Sequence, residues 1–410
     1  MNRQYKTIFN RSLGVWQAVS ELARGQGKSS RLLSVSALVG ALALAAVPAQ
    51  AQVVIGGDVT DNGVLVPPGN APSDPWITAG DLTVGSSNTG TLDIASGSTV
   101  SSGFNTIIGD QSGSIGTVTV DGTNSLFETS DFTVGYFGDG TLNITDGGRV
   151  ETSSIGRVGV GLGNGVVTVD GNSSFWDLSN ASLYVGDSGT GTITITNGGS
   201  VSSFGLSIGD RNIAFGNVVG TGVVTVDGQD STLNVSGNSL IVGSTGIGTL
   251  NITDGGTVNS DNSYVGYQSD GKATVDGEDS TWDSPFGLVV GESGDGTLDI
   301  LNGGTVSSGD TLIADLPNST GTVTVDGENS LWTVNGDFTV GYLSDATLNI
   351  TGGGRVETSG TINWVGFADG SSTVTVDGDG SAWETNGQLT VGDFGIGTLN
   401  ITNGGNVSSN

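Results

Sequence analysis

The chain has 410 residues, with 73 glycines, seven prolines, no cysteine, no histidine and a formal net charge of −30. Without cysteine and histidine it cannot form disulfides, zinc sites of the usual kind, Ser-His-Asp triads or Cys-His pairs. The acidic balance excludes nucleic acid as a partner, because binding a phosphate backbone needs basic surface. Glycine does not recur at every third position, which excludes a collagen triple helix.

The first 51 residues differ in charge from the rest of the chain. They hold six of the eleven basic residues and one acid, Glu21, so the remainder has five basic and 40 acidic residues and a net charge of −35. An apolar run, Leu32 to Val47, ends at Pro48-Ala49-Gln50-Ala51, whose small side chains are typical of a signal-peptidase site. Because the run is short for a membrane span, we predict that residues 1–51 form a Sec signal peptide cleaved after Ala51. An uncut signal anchor is the alternative.

Residues 52–81 are irregular and contain prolines, in Val66-Pro67-Pro68-Gly69 and in Asp74-Pro75-Trp76. Proline cannot donate to a strand ladder, so it suits a stretch that shields an open sheet edge. We therefore predict that residues 52–81 cap the N-terminal end of the domain that follows.

Two related motifs alternate over residues 82–410. Gly140–Val150 (GTLNITDGGRV) typifies the first and Thr322–Trp332 (TVTVDGENSLW) the second. In both motifs apolar residues alternate with Thr or Asn, which indicates half-buried strands, and Asp-Gly or Gly-Gly follows as a tight turn. Like residues superimpose if each unit of ~25 residues forms one coil of three short strands. We predict an all-β fold, a right-handed parallel β-helix (solenoid) of about 13 such coils.

The N-terminal residues resemble the extended signal peptide of type V secretion in Gram-negative bacteria. The resemblance rests on Met1-Asn2-Arg3-Gln4-Tyr5-Lys6, Gly14-Val15-Trp16 and Ala18–Ala23, with Phe9 where that family usually has tryptophan. The repeats over residues 82–410 resemble the passenger repeats of AIDA-type autotransporters. That family implies a C-terminal translocator barrel; since the chain stops within a repeat at Asn410, we expect a truncated protein.

The second motif carries an aspartate at the same strand end in every copy. Stacked coils would align these carboxylates along one corner, either as calcium ligands or as turn formers beside a left-handed glycine. Turn formation is favoured, because catalysis needs one special pair and because the spacing differs from the calcium nonapeptide GGxGxD. The calcium candidates are Asp121, Asp170, Asp227, Asp276, Asp326 and Asp377.

A bulky residue ends the second motif in each copy. A row of these residues on the surface could bind sugar rings, but Val150 and Val306 occupy the matching place in alternate coils, so an internal aromatic stack is favoured. The set comprises Trp176, Trp282, Trp332, Trp383, Phe127 and Leu233.

The longest interval between motif copies contains extra residues around 210–220, which predicts a loop on one face of the solenoid. Arg211 and Phe215 are candidate binding residues within it. A loop without function is the alternative.

The residues and the resemblance together predict an exported autotransporter passenger, located at the cell surface, in the outer membrane or outside a Gram-negative bacterium. We expect an adhesin or self-association rod that acts in cell–cell aggregation, biofilm formation or host attachment. Its expected partners are the Sec machinery during export, then copies of itself, neighbouring cells, host matrix or glycans. We expect neither enzymatic activity nor a cofactor. The alternatives are a β-helix polysaccharide lyase or hydrolase, which the five scattered basic residues disfavour, and an inert stalk.

Overall fold

The computed structural model describes residues 5–10, 15–20, 52–71, 73–210 and 218–409, the first two ranges by their backbone alone. The chain divides into two units, residues 1–48 and residues 49–410. In the first unit β1 (Tyr5–Asn10) and β2 (Val15–Ser20) pair as an antiparallel hairpin. The predicted apolar run and the predicted cleavage site at Ala51 lie outside the described residues. The described residues contain no helix, and therefore none that could span a membrane.

The second unit consists of strands joined by turns. It begins with β3 (Gln52–Gly57), β4 (Val59–Asp61), β5 (Val64–Leu65), β6 (Gly69–Asn70), β7 (Trp76–Ile77) and β8 (Leu82–Val84). The strands that follow are β9 (Thr89–Ala95), β10 (Thr99–Ser102), β11 (Thr106–Ile108), β12 (Ile115–Asp121), β13 (Leu126–Val134), β14 (Asp139–Thr145), β15 (Arg149–Val160), β16 (Asn164–Asp170), β17 (Phe175–Asp187), β18 (Thr190–Thr196), β19 (Ser200–Asp210), β20 (Thr221–Asp227), β21 (Thr232–Val235), β22 (Leu240–Val242), β23 (Ile247–Thr253), β24 (Thr257–Ser260), β25 (Asn262–Val265), β26 (Gly271–Asp276), β27 (Thr281–Val290), β28 (Asp295–Leu301), β29 (Thr305–Ile313), β30 (Thr320–Asp326), β31 (Leu331–Val334), β32 (Phe338–Val340), β33 (Asp345–Thr351), β34 (Arg355–Thr358), β35 (Ile362–Val365), β36 (Ser371–Asp377), β37 (Ala382–Thr385), β38 (Gln388–Val391), β39 (Ile396–Thr402) and β40 (Asn406–Ser409).

These strands form two sheets. Sheet A has 15 strands: β3, β6 and thirteen parallel strands, one for each coil, namely β9, β12, β14, β16, β18, β20, β23, β26, β28, β30, β33, β36 and β39. The other strands belong to the 23-stranded sheet B, to which each coil adds two short strands or one long strand that spans both positions. The predicted all-β parallel solenoid of about 13 coils is confirmed, and its right-handed sense stays a prediction.

The register places equivalent motif positions directly above one another. Leu142 of the first motif pairs with Val118 in the preceding coil and with Val167 in the next, and all three are fully buried. Asn143, one residue along, faces outward, because successive side chains of a strand point to opposite sides of the sheet. The apolar residues of every coil therefore line one continuous core between the sheets.

Two glycines make the corner at which the chain passes from sheet B back to sheet A. Gly135 has a φ of +74°, a left-handed conformation that glycine adopts without steric cost. A Cβ on Gly140 would overlap the amide nitrogen of Gly135 and would lie 2.6 Å from the carbonyl oxygen of Ile108. This close approach accounts for the glycine that ends the corner motif in every coil but one, where Ala314 replaces it. It also accounts for the glycine at the second position of most sheet A strands, which Ala346 and Ser372 replace in two coils.

The stretch predicted to be a cap pairs antiparallel with the first coil at the edges of both sheets. β3 lies against β9, from Gln52 opposite Ala95 to Gly57 opposite Gly90, and β4 lies against β8. Between them, Asp58 accepts hydrogen bonds from the backbone amides of Ser87 (2.6 Å) and Asn88 (2.9 Å). The bond from Ser87 is the main cause that lowers the pKa of the Asp58 carboxyl. These contacts cover backbone groups that a first coil would otherwise leave unpaired.

Candidate functional site

The outward side chains of sheet A form a regular surface, which we call the polar face. Numbered by alignment with the seven-residue strand β14, the first, third, fifth and seventh positions face outward, as Asp139, Thr141, Asn143 and Thr145 do. β26 has six residues and begins at the second of these positions. The third position is Thr in ten of the 13 coils, and the fifth is Thr, Asn or Asp in all of them. The polar face is thus a grid of hydroxyl, amide and carboxylate groups.

The six predicted calcium candidates occupy the seventh position of the polar face, in alternate coils, where each accepts a hydrogen bond from the following coil. Because coils repeat every ~4.8 Å, neighbouring members of the set are about 10 Å apart, so the structure does not bring them together. Among the described side chains, no three acidic residues converge as a metal site would require. The bonds to Oδ1 are Thr145–Asp121 (2.6 Å), Thr196–Asp170 (2.7 Å), Thr253–Asp227 (2.6 Å), Asn302–Asp276 (2.7 Å), Thr351–Asp326 (2.5 Å) and Thr402–Asp377 (2.6 Å).

The bulky residues of the second motif lie inside the solenoid, which confirms their predicted internal position. Trp332 is fully buried, its indole Nε1 donates to Ser308 Oγ at 3.1 Å, and it pairs in register with Val306 and Val356. The predicted stack of aromatic rings is wrong, because these valines separate one ring from the next. Four of the rings instead meet a phenylalanine from the other part of sheet B edge-on. Phe127 and Trp176 meet Phe132, and Trp332 and Trp383 meet Phe338, at 5.2 Å in the case of Trp332.

A second surface, not foreseen from the sequence, lies at the corner where sheet B leads to sheet A. In five consecutive coils the residue after the corner Gly or Ala is Tyr267, Glu292, Asp315, Tyr342 and Phe367. Backbone hydrogen bonds hold these positions in register, for example from Asp315 N to the Gly291 carbonyl and from Tyr342 N to the Ala314 carbonyl. We call this set the aromatic–carboxylate row.

Aromatic rings flank the two carboxylates of the row along the solenoid axis. On one side Tyr267 meets Tyr264 edge-on at 5.3 Å. On the other side Phe367 stacks on Tyr342 at 5.3 Å with an interplanar angle of 10° and touches Trp364 at 4.5 Å. These rings are half-buried, so one face of the cluster is open to solvent.

The carboxylates of the row have unusual electrostatics. Burial raises the pKa of both Glu292 and Asp315, and the charge of Asp315 raises that of Glu292 further. Oε2 of Glu292 is buried and has no hydrogen-bond partner within the described part of the chain. The four basic residues with described side chains pair with other acids: Arg149 with Glu151 and Asp177, Arg157 with Asp187, Lys272 with Asp299, and Arg355 with Glu357 and Glu384.

A signal for this row was present in the sequence. A glycine, or in one copy an alanine, ends the corner motif in all 13 coils, whereas the next residue differs from copy to copy and is aromatic in four of them, at Tyr136, Tyr267, Tyr342 and Phe367. In a repeat protein, positions that vary while their neighbours stay constant are free to carry function.

The predicted binding loop is only partly described. Arg211 and Phe215 lie outside the described residues, and so stay predictions. Gly220 N donates to the Asp210 carbonyl at 3.0 Å, so the insertion leaves and rejoins the solenoid at one corner.

Comparison with known proteins supports the assignment of the N-terminus. Residues 1–50 match the family described as the extended signal peptide of the type V secretion system, which confirms that resemblance and indicates export. The chain is therefore an exported β-solenoid that carries a type V secretion signal, as the passenger of an autotransporter does.

Two proteins of Escherichia coli K12 are similar to the chain. One, named uncharacterized lipoprotein YdeK, is 31% identical over 338 residues, covering 67% of this chain and 25% of the relative. The other, named uncharacterized protein YuaQ, is 33% identical over 128 residues, covering 30% of this chain and 9% of the relative. The chain thus spans about a quarter of the length of the first relative.

Proposed function

We propose that this protein is the passenger of an autotransporter adhesin and that the polar face of sheet A mediates its self-association outside the cell. The observation that carries the proposal is the regular grid of Thr, Asn and Asp over 13 coils. Contacts between copies on neighbouring cells would produce aggregation and biofilm growth, and the same groups would serve attachment to host matrix or glycans.

The polar face is large enough for a specific interface. Thirteen strands at ~4.8 Å extend over roughly 60 Å, and seven residues at ~3.3 Å give a width of about 23 Å. The resulting area, about 1,400 Å², exceeds the ~800 Å² that each partner contributes to an interface of standard size.

The groups on the polar face are self-complementary. Threonine and asparagine both donate and accept hydrogen bonds, and aspartate accepts them. The same pairings already link neighbouring coils, as when Thr145 donates to Asp121 at 2.6 Å and Asn251 donates to Thr225 at 3.4 Å. Each such bond contributes only ~1 kcal/mol, so firm attachment would come from their number.

We also propose that the activity is binding and not catalysis. The six aspartates at the seventh position of the polar face have similar surroundings, since each accepts from Thr or Asn of the next coil. A hydrolase or lyase needs one pair that differs from the rest.

The test compares two double variants of the exported protein with the same added charge. Thr168→Glu with Thr225→Glu places two carboxylates on the polar face in coils that are not adjacent. Thr232→Glu with Thr281→Glu places two on sheet B, beside uncharged neighbours. We expect sedimentation velocity to show self-association that the first variant weakens roughly tenfold and the second leaves unchanged.

Equal association of both variants would refute the role of the polar face. A wild-type protein that stays monomeric and binds no cell, matrix or glycan surface would refute the adhesin proposal as a whole.

A further inference from the structure

We propose that the aromatic–carboxylate row is a separate binding surface for an extended, arginine-bearing segment of a partner polypeptide. The proposal depends on the proposed function only in that the rod meets partners outside the cell.

The charge of the row favours a cationic partner. Glu292 and Asp315 occupy equivalent positions in adjacent coils, and no described basic side chain pairs with either. Two negative charges one coil (~4.8 Å) apart in a partly desolvated site repel each other. A cation between the two coils would relieve that repulsion, which a neutral sugar cannot do.

The chemistry of the flanking groups favours an organic cation over a metal ion. Calcium requires six to eight oxygen ligands, whereas the two carboxylates stand between aromatic rings, Tyr264 and Tyr267 on one side and Tyr342 on the other. Aromatic faces attract cations through their quadrupole and bind weakly hydrated ones best. The guanidinium group of arginine fits this description, since it forms bidentate hydrogen bonds with a carboxylate and stacks on aromatic faces. The ammonium group of lysine is compact and strongly hydrated, and it does both less well.

The length of the row favours a chain segment over a small molecule. From Tyr267 to Phe367 the row crosses five coils, or about 19 Å at ~4.8 Å per coil. An extended peptide advances ~3.3 Å per residue, so about six residues would follow the row from end to end. An arginine at the centre would meet Glu292 and Asp315, and arginines toward the ends, on the same face of the extended segment, would lie against the tyrosine pair and Phe367.

Trp364 supplies a built-in reporter of binding. It is half-buried beside Phe367, whereas Trp76, Trp176, Trp282, Trp332 and Trp383 are buried in the core. We would titrate the exported protein with the peptide acetyl-Gly-Arg-Leu-Arg-Leu-Arg-Gly-amide and follow tryptophan emission at physiological salt. The matched peptide has citrulline for each arginine, which keeps the shape and removes the charge. A Trp364→Phe variant identifies the emission that belongs to the reporter.

Two variants of equal charge decide whether the row is responsible. Glu292→Gln with Asp315→Asn neutralises the row, and Glu278→Gln with Asp279→Asn neutralises two exposed acids in the turn after β26. We expect wild type and the turn variant to bind the arginine peptide at least roughly tenfold more tightly than the citrulline peptide. The row variant should lose that preference while its circular dichroism stays unchanged.

Three results would overturn the proposal. One is equal affinity for the two peptides, and another is an equal loss in the turn variant, which would indicate general attraction to an acidic protein. The third is saturable quenching of Trp364 by maltohexaose without arginine binding, which would make the row a sugar platform. Self-association of the row variant tests the polar face independently, because the two surfaces share no residue.

Discussion

Replacing Trp332 by alanine tests whether the tryptophans of the second motif support the core or face a ligand. The side chain is fully buried, and Val306 and Val356 flank it in the adjacent coils. The loss of so large a buried side chain costs ~3–5 kcal/mol when the surroundings cannot collapse. Two pleated strands fix the flanking valines, so we expect a value in the upper half of that range.

The lost hydrogen bond adds little to this cost. Ser308 Oγ, which accepts from Trp332 Nε1, also lies 2.9 Å from Thr311 Oγ1, so the hydroxyl keeps a partner. Urea unfolding followed by far-UV circular dichroism measures the change in the free energy of unfolding. The matched control is Trp364→Ala, which removes the same side chain from a half-buried position beside Phe367 and should cost clearly less than Trp332→Ala. A similar shift in both variants, or a cost below ~1 kcal/mol at Trp332, would refute the internal assignment.

Three further predictions follow from the electrostatics. The pKa values of Glu292 and Asp315 are higher in the folded protein than in the unfolded chain. At a pH between the ordinary and the raised pKa values, the native state therefore binds more protons than the unfolded chain. The contribution of these two residues to stability accordingly falls as pH rises through that window. Glu292→Gln with Asp315→Asn should therefore raise the urea midpoint near pH 7 and flatten its dependence on pH; a lower midpoint would contradict the buried repulsion. Asp58 has the opposite sign: its lowered pKa gives stability that is present above the ordinary pKa of aspartate and lost as pH falls through the folded value. Asp58→Ala should lower the free energy of unfolding by about 1 kcal/mol at neutral pH, measured by the same unfolding curves. Asp81→Ala, which removes one hydrogen bond from the backbone amide of Asn105, should lower it by no more than that. Self-association through the acidic polar face should strengthen as salt rises, because screening weakens repulsion between facing carboxylates; sedimentation at low and high ionic strength would show the reverse if the contact depended on ion pairs.

The sequence alone determined the strands and their buried faces. Leu142 and Ile144 alternate with Asn143 and Thr145. This two-residue periodicity predicts which side of the strand faces the core, even before any partner strand is known. The Asp-Gly and Gly-Gly pairs mark the turns because only a few residues adopt a left-handed φ cheaply. The copies repeat at nearly constant length, so their parallel stacking also followed from the chain itself.

Only the tertiary structure decided which outward side chains become neighbours across coils. Tyr267, Glu292, Asp315, Tyr342 and Phe367 are each about 25 residues apart in the chain, and nothing local links them. They meet because backbone bonds at the corner glycines fix the register of each turn on the last. The same register places Val306 and Val356 on either side of Trp332, which therefore meets Phe338 edge-on and not the tryptophan of the next motif copy. Neighbours along a strand can be predicted from its sequence. Contacts between coils, and the desolvation that raises the pKa of Glu292, arise only when the backbone has closed each turn.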